Sequence, residues 1–144
     1  SIREVHGVFD SIRRKIGREM LTLDDVENRL RGFRDARFHF AIVCAARSSP
    51  PLAARAYRAA TLANDLDVQG RVFVRDPARN VIDPAAGRLE LSQMFEWNRK
   101  EFERDAESLA SYVSRFTERA VGDWLKTFQK SPEFLPYDWA LNQP

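Results

Sequence analysis

The feature that most constrains this chain is an apolar run, Phe38 to Ala46, carrying His39 and the sole cysteine, Cys44. It ends in a polar stretch, Arg47-Ser48-Ser49, stopped by Pro50-Pro51. Apolar residues on both faces predict a central strand over about residues 37–45, needing helices on both sides. A buried strand that hands polar side chains to a loop is a frequent place for a site in mixed α and β proteins. The run is too short to cross a bilayer.

The flanking sequence supplies hairpins and amphipathic helices. Residues 12–21 alternate loosely around Gly17, which reads as a short hairpin because glycine takes the positive φ of a tight turn. Thr22-Leu23-Asp24-Asp25 reads as a capping box that starts a helix burying Leu23, Val26 and Leu30 and stopping at Gly32. Thr61 is placed to cap a helix with Leu62, Leu66, Gln69 and Phe73 on one stripe, and Asp76-Pro77 ends it. Val81-Ile82 and residues 88–91 flank turn residues 83–87, a second hairpin. Ser92 then caps a helix holding Phe95 and Phe102. Leu109, Tyr112, Val113 and Phe116 predict another, and Trp124, Leu125 and Phe128 extend the pattern. The aromatic segment Phe134–Asn142 is expected to pack as an extended strand. The fold class predicted is α+β: short hairpins and several amphipathic helices around a small mixed sheet. Residues 1–144 read as a single domain.

Composition removes several function classes. Hydrophobic residues at 44% and charged residues at 31% describe a soluble globular protein. Residues 1–60 hold 12 Lys or Arg against 7 Asp or Glu, and residues 61–144 hold 11 against 14. That excess is modest and lacks the interleaved aromatics and glycines of an RNA-binding sheet, so no nucleic-acid partner is expected, and no membrane. Arg13-Arg14-Lys15 reads as a solvated basic run. One cysteine excludes an internal disulfide and a cysteine-based zinc cage, and fits either redox compartment. His6 and His39 lack the spacing of a zinc helix, and Asp24, Asp25 and Glu27 lack the calcium-loop spacing. No metal and no cofactor are expected, and the sequence carries no phosphate loop or nucleophile elbow.

Arg37-x-His39-Phe40-Ala41-x-x-Cys44-Ala45-x-x-Ser48-x-Pro50-Pro51 resembles the signature of the domain of unknown function 547 family. Thr22–Glu27 with Leu30-Arg31, then Tyr57, Leu91-Ser92, Trp97, Phe102 and Leu135–Asn142, extend the resemblance along nearly the whole chain. Three departures accompany it. Ser49 stands where many relatives have a second cysteine, and Glu101-Phe102 stands where the family often shows Asp-Phe. The chain also begins after an upstream helical segment that relatives usually carry. The resemblance therefore implies a form that is not a self-sufficient enzyme, with apolar surface left for self-association or an unknown protein partner.

The candidate catalytic residues are His39, Cys44, Asp138 and Glu27, and the candidate binding residues are Arg37, Ser48 and Ser49. On a straight strand His39 and Cys44 would lie roughly 16 Å apart on opposite faces, a poor thiol–base dyad. Cys44 then reads as a small buried hydrophobe. Glu27, Arg37 and His39 form a candidate buried network. Asp138, between two aromatics, is a candidate to orient His39 if the last strand lies beside residues 38–45. Ser48 and Ser49 read as turn residues or alternative nucleophiles. The leading function class is a structural or protein-interaction module. The alternative is a hydrolase-like domain using His39, Asp138 or Glu27, and a Cys or Ser nucleophile.

Overall fold

A computed structural model describes residues 1–142 of the 144. After a 3-10 turn at Ile2–Glu4, β1 (Arg14–Ile16) and β2 (Glu19–Leu21) pair antiparallel as the first predicted hairpin. Gly17 turns it at φ +62°. The chain enters α1 (Leu23–Arg31) through the expected capping box. The Asp25 amide donates to Thr22 Oγ1 and the Thr22 amide to Asp25 Oδ2, both at 3.0 Å. Helix α2 (Leu62–Val74) leads to β3 (Val81–Asp83) and β4 (Arg88–Ser92), the second predicted hairpin. The Ala86 amide donates to Asp83 Oδ1 within that turn, and Gly87 again takes φ +62°. Four short helices follow: α3 (Gln93–Trp97), α4 (Arg99–Phe102), α5 (Leu109–Ser114) and α6 (Arg119–Lys126). Strand β5 (Glu133–Leu135) then joins β4 in parallel register. Helices with one two-stranded and one three-stranded sheet make the fold α+β, as expected. No helix of the described residues is long and apolar enough to cross a membrane.

The central strand is where expectation and structure part. Ala36–Phe40 is a 3-10 turn, and residues 41–45 are irregular until Ala46 forms an isolated bridge with Leu141. The cause is local and tertiary together. The Asp35 carboxylate accepts the Arg37 amide at 3.1 Å and caps a helical turn. Phe40, fully buried, is surrounded by Phe73, Phe95, Phe102 and Phe116 at ring separations of 5.2–6.0 Å. A short, largely apolar run satisfies a buried turn as well as a buried strand, and periodicity cannot separate the two.

Smaller corrections follow the same physics. The C-terminal segment is a strand only at Glu133–Leu135, because Pro136 has no amide to continue the ladder. Beyond it the chain still lies beside the 45–48 segment, through Ser48 N to Asp138 O (3.3 Å), Arg47 N to Ala140 O (2.9 Å) and Asn142 N to Ala45 O (2.8 Å). Thr61 occupies the cap position of α2, but its hydroxyl donates to Asp65 Oδ2 at 2.7 Å instead of accepting an amide. The helix expected from Ser92 breaks at Asn98. Leu23 in α1 is 44% exposed and Leu62 in α2 is 42% exposed, so neither joins the core. The core itself runs from Ala36 and Phe40 through Phe73, Leu91, Phe95 and Phe102 to Tyr112, Val113 and Leu125.

Candidate functional site

Because α1 keeps its apolar edge out of the core, that edge walls a cleft of about 260 Å³. Leu23, Asp24, Val26 and Glu27 form the α1 side. His39, the irregular residues Ile42, Val43 and Cys44, and the loop residues Ser49 and Pro50 form the floor. Met94, Trp97 and Asn98 line it from the α3 end, Tyr137 and Trp139 from the C-terminal segment beside Trp97, and Phe9 from the N-terminal segment. Arg79 fixes the floor from outside: its Nε donates to Ser49 O and its Nη2 to Arg47 O, each at 2.9 Å.

His39 is 4% exposed, and its Nε2 stands 3.0 Å from Glu101 Oε2. Burial first, and then the Arg31 guanidinium, push the imidazole down to about 3. Glu101 pulls the other way, but Arg31 shares that carboxylate, so burial decides the sign. A neutral imidazole beside a carboxylate donates from Nε2, which leaves Nδ1 an acceptor with no hydrogen bond among the described residues. Arg31 goes on to Glu27 at 2.6 Å and to Asn98 Oδ1 at 3.1 Å. The observed network is therefore Glu27, Arg31, Glu101 and His39.

Glu27 thus reaches His39 only through Arg31, and Arg37 lies outside the network. Its guanidinium is held by Asp35 at 2.7 Å and Asp67 at 2.8 Å, on the α2 side. Asp138 does not orient His39: its Oδ1 accepts the Ala140 amide at 2.9 Å, and its other oxygen stands 3.7 Å from Arg47. Ser48 Oγ accepts the Asp138 amide at 2.9 Å. Ser49 is fully buried and its Oγ accepts the Cys44 amide at 3.0 Å, which closes the floor turn. Cys44 is half-buried, more open than expected, and its Sγ lies 3.0 Å from Tyr137 Oη. Burial, and then the Cys44 contact, hold that phenol well above the ordinary tyrosine range. The strand argument that sent His39 and Cys44 to opposite faces does not apply to a 3-10 turn; both line this cleft.

Sequence reasoning missed Glu101, Arg31 and the aromatic wall. Trp97, Tyr137 and Trp139 form a cluster of rings, tilted at Trp97–Tyr137 (4.9 Å) and Tyr137–Trp139 (4.6 Å) and stacked at Trp97–Trp139 (5.9 Å). The Glu101-Phe102 pair, which the family resemblance singled out as a departure, was the available signal for the carboxylate. No group of three His, Cys, Asp or Glu side chains among the described residues is placed to hold a metal ion.

The family model for the proteins of unknown function DUF547 matches residues 2–74, just over half of the chain, and the chain belongs to that family. The matched part includes Glu27, Arg31, His39, Cys44 and Ser49; Glu101 and the aromatic wall come from the rest of the chain. No curated protein and no solved structure matches it.

Proposed function

We propose that this domain is a protein-interaction module whose cleft receives a side-chain anchor from an extended partner segment. The observation that carries the reading is the state of the polar groups in the cleft. Cys44 meets Tyr137, Ser49 serves the Cys44 amide, His39 donates to Glu101 and Glu27 pairs with Arg31. What they leave open is largely apolar and aromatic, from Leu23, Val26, Ile42, Val43, Trp97 and Trp139. A space of about 260 Å³ lies below the usual range for small-molecule sites, roughly 300–1,000 Å³, and suits one or two side chains. The test is a displayed random-peptide library selected on the domain and counter-selected on Val43→Trp, which fills the cleft. Segments retained by the parent and rejected by the variant support the reading. Equal retention by both overturns it.

One observation favours a hydrolase-like reading as the second. His39 is fixed through Nε2 by a carboxylate, keeps Nδ1 as an acceptor, and shares the cleft with Cys44. A thiol nucleophile there would make ester hydrolysis depend on Cys44 and Glu101 together. Hydrolysis of a nitrophenyl ester abolished by both Cys44→Ala and Glu101→Gln would favour this reading; indifference to both removes it.

A further inference from the structure

The charged residues that line the cleft are all acidic. The chain carries 23 Lys and Arg against 21 Asp and Glu, yet the cleft is lined by Asp24 and Glu27 and by no Lys or Arg. Asp24 has no ion pair among the described residues, whereas Glu27 already shares Arg31. His39 is neutral and adds no positive charge. The same cleft is lined by Trp97, Tyr137 and Trp139, whose ring faces carry negative potential. The chain itself shows what such a wall accepts: the Arg3 guanidinium lies over the Trp139 ring, 5.0 Å from its centroid. Arg3 comes from the exposed 3-10 turn at the rim and reaches this wall without any carboxylate partner among the described residues.

We infer that the anchor this cleft receives is a cationic side chain, an arginine or lysine of an extended partner segment, lodged between the aromatic wall and Asp24. An apolar stem ending in a cation fits both halves of the lining, because the stem lies along Val26 and Ile42 while the charge meets carboxylate and ring faces. Arg3 is then a competitor held in place by the chain, covering part of the same wall. The inference rests on the docking reading above.

The test follows the indole resonances of Trp97 and Trp139 in the intact chain, with Trp124 in α6 as the distant control. The probes are a glycine- and alanine-based hexapeptide with one central arginine, the same peptide with citrulline in its place, and arginine amide alone. The expected result is that the arginine peptide shifts Trp97 and Trp139 and binds roughly three- to tenfold tighter than the citrulline peptide. Asp24→Asn removes most of that preference, and Arg3→Ala strengthens binding by exposing the ring. Both positions are exposed, so both variants keep the fold. Equal binding of the arginine and citrulline peptides overturns the charge recognition and leaves the apolar docking site standing. No shift with either peptide overturns both readings. Arginine amide binding as tightly as the hexapeptide makes the occupant a small molecule and overturns the partner assignment.

Discussion

His39 concentrates the chemistry of this chain in one buried residue. Its imidazole sits 4.0 Å from the Phe38 ring and 5.3 Å from the Phe102 ring by centroid, with Glu101 at its polar edge. Removing it in His39→Ala leaves Glu101 facing a hole and is expected to cost roughly 1–3 kcal/mol, read from the urea midpoint. The pH dependence has a definite sign. The unfolded chain takes up a proton near 6.5 that the folded chain refuses until about 3. The stability it contributes is complete above about 6.5 and is lost as the pH falls towards 3, with a slope of at most about 1.4 kcal/mol per pH unit. Urea titrations of the parent and of His39→Gln at pH 7 and pH 5 check this. The parent loses more stability than the variant between the two, and parallel losses would remove His39 as the source. At this scale the sequence pointed to His39, Cys44 and Glu27, because unusual residue types in an apolar run are visible without a structure. Glu101 was visible only as a departure from the family pattern and not as the partner of His39, since it comes from 62 residues away and only tertiary packing brings it there.

Elements whose cause is local were legible, and those decided by packing were not. Both hairpins and the α1 capping box follow from turn glycines and a threonine–aspartate pair a few residues apart. Thr22 is 3% exposed, so Thr22→Ala is expected to cost about 1 kcal/mol, within the usual 0.5–2 for a lost cap, measured by chemical denaturation. The misread strand at 37–45 shows the opposite case, because the rings that close on Phe40 come from three other stretches of chain. Gly70 records that closure. A Cβ there would meet Phe116 Cε1 at 2.6 Å and Phe40 Cδ2 at 3.1 Å. Glycine to alanine inside a helix ordinarily stabilises by roughly 0.5–1 kcal/mol. Here crowding wins, and Gly70→Ala is expected to destabilise by about 1–3 kcal/mol. A variant melting at or above the parent temperature would show that α2 can move away from the turn.

Across the whole molecule, burial is uneven in a way that bears on the cleft. The core runs from Ala36 to Leu125, while α1 contributes no buried residue and the first hairpin only Leu21. The cleft therefore has one wall that belongs to the core's own loops and one that is hung on it. α1 is tied by Arg31 to Glu101 and Asn98 and by the Asp24 amide to Phe9 O at 3.0 Å. Few apolar contacts beneath exposed hydrogen bonds mark a segment that opens locally well before the core does. Amide exchange in α1 and the hairpin is accordingly expected to run orders of magnitude faster than in α2 and α5. Arg31→Ala cuts the tie, so it should speed exchange in α1 further and leave α2 and α5 at their parental rates. A partner seated in the cleft would restrain the same helix from the other side, slowing its exchange and no other element's. If α1 exchanges in step with α2 in the parent, the cleft is a rigid slot and not one closed by a hinged wall, and any partner must fit it as it stands.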